Sequence, residues 1–224
     1  IGNMVAKTLS SPNHPQLTTV EGIIKILDDW DMTIKILKGA WDASVYDTYG
    51  VSSIVMPEAF YEALELQLKD ETWVEILPHA HSPEWYVKYK ADKVCAEQHI
   101  PPHVKVAAAI AASSIYEQMG ELATPVSTMC WRGAETMLWH TDTDSIHGDR
   151  VDCQLLVYFG DTHTAESGGM VQFRTPAGLY AEHHPHNRSS VLHTCEHGYQ
   201  HRPVAHTGLP LDRILINFGF SLYR

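Results

Sequence analysis

Apolar positions change their spacing part-way along the chain. In the first half they recur every three or four residues: Ile23, Ile24, Leu27, Trp30 and Ile34, then Phe60, Leu64 and Leu68. That period lines them up on one face of a helix. Thr18 and Glu21 have capping-box spacing ahead of the first run, and Pro57 stands where a helix favours proline, ahead of the second. A third helix is predicted over residues 102–119. Residues 77–100 give mixed signals, with Trp85, Tyr86 and Tyr89 among them, and are expected to form a loop or lid.

From about residue 125 the period shortens. Short β-type runs at 126–131, 136–140, 152–159, 169–174, 189–194 and 213–222 are cut by Gly, Pro, Asp and His. Several short strands at regular spacing predict a sandwich or barrel. The expected class is α+β, with helices packed on one face of a β-sandwich. A length of 224 residues suits one domain with a substantial core. Residues 4–124 would be a mainly helical support and 125–224 the β core. No internal repeat is evident.

Composition removes several function classes. Apolar residues make up 44% and charged residues 19%, which argues against disorder. A net charge of -11 repels phosphate backbones and anionic lipid, so neither nucleic acid nor membrane is an expected partner. No apolar run approaches the roughly 18 residues that span a bilayer, and no signal peptide is read at the start. The four cysteines are scattered, so reduced thiols and a cytoplasmic location are expected. Fifteen histidines are unusual, but the number alone does not make a metal protein.

The sharpest local signal is His140-Thr141-Asp142. In extended backbone, residues i and i+2 project to one side, so both side chains can reach one cation. An imidazole and a carboxylate are suitable ligands for divalent iron. By itself an H-x-D triplet is weak. A third ligand from another strand would complete a facial triad and leave the opposite face open. His193, His197, His201 and His206 are the candidates. The first three are spaced by four, which on a helix would stack them as a zinc-like site. Gly198 and Pro203 argue against a helix there, and residues 190–192 read as a strand. His183, His184 and His186 fall in a Pro/Asn segment that reads as solvated loop.

Over its last hundred residues the chain resembles the Fe(II)- and 2-oxoglutarate-dependent oxygenase superfamily, its prolyl-hydroxylase-like branch in particular. Four features stand in order. Cys130-Trp131-Arg132-Gly133 precedes Trp139-His140-Thr141-Asp142. An apolar strand ends Val157-Tyr158-Phe159-Gly160-Asp161. Gly168-Gly169 precedes Met170-Val171-Gln172-Phe173. His201 sits in an H-x-P-V setting and is followed by Arg213.

The resemblance implies a double-stranded β-helix, a distorted jelly roll. It implies Fe(II) on His140, Asp142 and His201, with His206 the next choice for the third ligand. It also implies 2-oxoglutarate held at its far carboxylate by Arg213, with Tyr158 hydrogen-bonding the cosubstrate, and O2 as oxidant. A guanidinium fork suits that carboxylate. Alternation agrees, since Arg213, Leu215, Asn217 and Gly219 share one face of the last strand and Ile214, Ile216, Phe218 and Phe220 the other. Many relatives carry Ser or Thr two residues after the arginine, where this chain has Leu215.

The expected activity is hydroxylation of a C–H bond in a small molecule or peptide, with desaturation or ring formation open on the same scaffold. An intact carboxylate at Asp142 argues against halogenation. The competing readings are a cupin-like protein using another metal without 2-oxoglutarate, and a non-catalytic binding module. The sequence sets no oligomeric state.

Overall fold

The computed structural model describes residues 40–69, 91–94, 101–132, 137–143, 149–160, 168–204 and 213–223. The helix expected near residues 18–34 lies outside them, as does the 77–100 lid segment apart from one short strand. His206 also lies outside the described residues.

In chain order the elements are β1 (Ala40–Trp41), α1 (Ala43–Tyr49), β2 (Val51–Val55), α2 (Glu58–Lys69), β3 (Ala91–Val94), α3 (Pro102–Met119), β4 (Leu122–Arg132), β5 (Cys153–Phe159), β6 (Val171–Arg174), β7 (Tyr180–His183), β8 (Ser189–Thr194), β9 (Gln200–Pro203) and β10 (Ile214–Tyr223). The seven-stranded sheet runs β1-β2-β8-β5-β10-β4-β3 and the three-stranded sheet runs β7-β6-β9. Every named strand pair is antiparallel.

Local chemistry sets the helix ends. The Asp42 carboxylate accepts from the Ser44 and Val45 amides and starts α1. Gly50 ends it in left-handed backbone, at φ 70°. A side chain there would also strike the Tyr199 ring, 2.5 Å from an added Cβ. In α3 the buried positions include Ala107, Ala108 and Ala111, small enough to let the helix approach its neighbours closely.

Period-2 alternation on β10 splits the interior into two layers. Ile216, Phe218 and Phe220 pack with Phe60 and Leu64 of α2, Val106 and Ile115 of α3, and Leu155 and Val157 of β5. Leu215 faces the other way and joins Leu156, Tyr158, Val171, Phe173 and Val191 between the two sheets. Phe218 and Phe220 are fully buried, each contributing about 2–3 kcal/mol.

Two features differ from the sequence expectation. The N-terminal half supplies strands as well as helices, with β2 paired to β8 and β3 to β4. In addition, β7 and β9 are strands although their sequences show no apolar alternation. Each of them borders β6, which supplies Val171 and Phe173 to the core. Residues 137–140 run beside β9 through Met137 N to Pro203 O at 3.2 Å and a reciprocal His140–His201 pair at 3.1 and 2.9 Å.

Candidate metal centre

That reciprocal backbone pair is what sets His140 beside His201, with ring centroids 4.3 Å apart. Asp142 follows two residues later on the same side. Its Oδ1 lies 3.8 Å from Nε2 of His140 and its Oδ2 lies 3.6 Å from Nε2 of His201. The three ligand atoms fall within 4.8 Å of one another. Adjacent donors on an octahedral divalent cation with bonds of about 2.1 Å sit about 3 Å apart. Closing the cluster on an ion would therefore draw the carboxylate and the two imidazoles together by roughly an ångström.

Protonation favours ligation. Nδ1 of His140 is 2.8 Å from the Leu138 carbonyl, so it carries the hydrogen and leaves the Nε2 lone pair toward Asp142. Burial holds the His201 pKa well below its ordinary value, and the neighbouring His193 and His140 push it the same way. The donor set is thus two imidazoles and a carboxylate, which fits iron(II) and similar divalent ions.

Large-sheet residues line the wall behind the cluster. Nε2 of Gln154 donates to Oδ2 of Asp142 at 3.1 Å. The ring of His193 lies 4.5 Å from that of His201 and 5.3 Å from that of Phe173. Burial lowers the His193 pKa to about 4, and Nδ1 meets the Thr194 carbonyl at 3.1 Å. The inner atoms Oε1 of Gln154, Nε2 of His193 and Oδ1 of Asn217 are buried without a hydrogen-bond partner.

At the other end of the same inner surface, Arg213 is 2% exposed. Its guanidinium lies 4.9 Å from the centroid of the Tyr158 ring. Burial lowers the Arg213 pKa and raises that of Tyr158, while their mutual attraction and hydrogen bond oppose both shifts. Nε and Nη2 of Arg213 have no hydrogen-bond partner. A buried cation in that state costs stability unless an anion meets it.

The structure therefore brings His140, Asp142 and His201 together, and sets Arg213 against Tyr158. It separates the other histidines of the region. His193 is on β8 and faces the cluster from the opposite sheet, so the spacing of four reflects two strands and their turn, not a helix face. His197 is exposed and lines an open cavity of about 440 Å³ with Thr143, Arg150, Val151, Asp152, Cys195 and Glu196. His184 and His186 are exposed as expected, but His183 is a buried residue of β7. Its Nε2 is 3.3 Å from Oγ of Ser189, its Nδ1 is 3.5 Å from Oγ of Ser53, and its ring is 5.6 Å from that of Tyr158. Sequence reasoning missed Gln154 and its contact with Asp142. The available signal was a lone amide inside an otherwise apolar strand, Cys153-Gln154-Leu155-Leu156-Val157.

No protein-family model matches the chain, and no curated protein matches it. Solved structures do. A 2OG-Fe(II) oxygenase family oxidoreductase from Burkholderia pseudomallei superposes with TM-score 0.61 at 9% identity, covering 80% of this chain and 88% of the other. A Trichoplax adhaerens prolyl hydroxylase, solved with a hypoxia inducible factor oxygen degradation domain peptide fragment, gives TM-score 0.56 at 13% identity, covering 79% and 86%. HygX from Streptomyces hygroscopicus, solved with nickel and 2-oxoglutarate, gives TM-score 0.56 at 12% identity, covering 80% and 85%. At such identities the likeness is one of fold: this chain is built as these oxygenases are.

Proposed function

We propose that the chain is an Fe(II)- and 2-oxoglutarate-dependent oxygenase of the prolyl-hydroxylase-like branch, its two sheets forming a double-stranded β-helix within a single domain. The observation that carries this reading is the buried guanidinium of Arg213, with two nitrogens lacking a hydrogen-bond partner, on the inner face that also backs the His–Asp–His cluster. A cupin-like metal site without a dicarboxylate cosubstrate would have no use for that cation. HygX, of the same fold, holds a metal and 2-oxoglutarate together.

Iron bound by His140, Asp142 and His201 would supply activation of O2, coupled to decarboxylation of 2-oxoglutarate to succinate and CO2 and to oxidation of a substrate C–H bond. The chain's own residues do the rest. Arg213 and Tyr158 hold the far carboxylate of the cosubstrate and so fix its reach toward the metal. His140 and His201 keep their Nε2 lone pairs free because one is tied through Nδ1 to a carbonyl and the other is buried. Leu156, Val171, Phe173, Val191 and Leu215 keep water out of the space between the sheets. The substrate is a small molecule or a peptide, the two classes found with structures of this fold: a peptide fragment with the Trichoplax enzyme and hygromycin B with HygX.

The test is succinate formation by the purified protein with Fe(II) and 2-oxoglutarate. His140→Ala and Asp142→Ala should each abolish it. Full iron-dependent turnover in both variants would remove the site assignment.

A further inference from the structure

Gln154 has no role in the reading above, yet its environment is unusual. It is 2% exposed near the start of β5, directly opposite His193 on β8 and Gly219 on β10. Its neighbours along the strand are Cys153, Leu155, Leu156 and Val157, all buried apolar residues. A neutral amide in such a place needs partners, because burying an amide without them costs about 1–3 kcal/mol. The partner it has is Oδ2 of Asp142, at 3.1 Å.

The orientation of the amide follows from chemistry. A carboxylate can only accept, so the NH2 end must face Asp142 and the carbonyl end must face away. That leaves Oε1 buried and unpartnered, as is Nε2 of His193 across the strand pair. An amide held in this state, with one end satisfied and the other not, is kept for what its donor does.

The need for a clamp is local. Asp142 lies outside the named strands, in residues 141–143, just after the backbone bridge that fixes His140. His201 is held in β9, and His140 is held by that bridge and by the Leu138 carbonyl. The Asp142 carboxylate is about one-third exposed, and the Gln154 hydrogen bond ties it to the large sheet.

We infer that Gln154 is the positioning residue of the metal centre. It pins one oxygen of Asp142, which fixes the rotation of the carboxylate between the two imidazoles before an ion arrives. This inference rests on His140, Asp142 and His201 being the metal ligands. Residues that orient a metal ligand are worth about 10–100-fold in metal affinity.

The experiment titrates Co(II) into the metal-free protein and follows its visible absorption bands, alongside thermal unfolding of the same metal-free samples. Gln154→Met keeps the unbranched shape and removes the donor. Gln154→Asn keeps the amide but withdraws it by one methylene, and it decides the matter should the methionine variant not fold. Asp142→Ala is the control for the ligand set. The expected result is a Co(II) Kd raised about 10–100-fold in a folded Gln154 variant, with displaced absorption bands. Asp142→Ala should lose the binding signal. A folded Gln154 variant with wild-type Kd and wild-type bands overturns the inference, as does failure of both variants to fold, which would make Gln154 a residue of the fold. Wild-type Co(II) binding by Asp142→Ala would instead overturn the ligand assignment itself.

Discussion

Replacing Arg213 with methionine separates the cost of the site from its use. The guanidinium is buried, and two of its nitrogens have no partner. Each unpartnered buried donor costs about 1–3 kcal/mol. Against that stand the contact with the Tyr158 ring at 4.9 Å, about 1–2 kcal/mol when desolvated, and a hydrogen bond of about 1 kcal/mol. Methionine keeps an unbranched apolar stem in the same volume. Arg213→Met should therefore stabilise the cosubstrate-free protein by about 1–2 kcal/mol, roughly 2–8 °C in Tm for a chain of this length. The wild type, given Mn(II) and 2-oxoglutarate at about 100 times its Kd, should gain about 2.7 kcal/mol. The variant should gain nothing at the same concentration. Thermal unfolding with and without 2-oxoglutarate reads both effects. A variant destabilised by more than about 1 kcal/mol without cosubstrate would mean that the cation serves the fold. An undiminished response to 2-oxoglutarate would mean that the carboxylate binds elsewhere.

Two further outcomes follow from burial. Burial holds His183 and His193 unprotonated down to about pH 4, against an ordinary value of 6.5. Their folded pKa values are depressed, so the unfolded chain takes up protons first. Stability should be intact above pH 6.5 and fall as pH drops toward 4, by about 3 kcal/mol per histidine. Urea midpoints of the metal-free protein measured across that window test this, and a flat profile would contradict the neutral, buried placement. Phe218→Ala should cost about 3–5 kcal/mol, because the ring is fully buried against Phe60 at 6.2 Å between centroids. A loss below about 1 kcal/mol in urea unfolding would mean that the layer between sheet and helices is not packed as described.

Legibility in the sequence tracked the strength of the period. Residues 102–119 were readable as a helix because proline and glycine bracket an uninterrupted run, and the helix found is Pro102–Met119. On β10, alternation alone separated the helix-facing Phe218 and Phe220 from the inward Leu215. By contrast β7 and β9 are short strands of the small sheet in which polar residues also face outward, so period 2 is diluted below recognition. β2 was hidden because its five residues follow a helix directly, and its pairing with β8 spans more than a hundred positions. The H-x-D pair was legible because two residues in extended backbone share a side whatever the fold. The contact of Gln154 with Asp142 and the burial of His183 were not, since both depend on which strands become neighbours; the lone amide of β5 marks Gln154 as unusual but does not name its partner.

The site is divided between the two sheets, and this bears on how it works. His140 and His201 belong to the small-sheet side, joined by a backbone pair next to β6. Arg213, Tyr158, His193 and Gln154 belong to the large sheet. The apolar layer of Leu156, Val171, Phe173, Val191 and Leu215 therefore sets the distance between the His–Asp–His cluster and the Arg213 guanidinium. Tyr158 and Gln154 are four residues apart on one face of β5, about 13 Å of strand. A dicarboxylate reaching from the guanidinium over Tyr158 toward the metal would lie along that span. Such a ligand would meet one sheet at its carboxylate and the other through the ion, so metal and cosubstrate should each strengthen the binding of the other. A single bidentate cosubstrate on a single ion would then meet both the two partnerless nitrogens of Arg213 and the clustered imidazole and carboxylate donors.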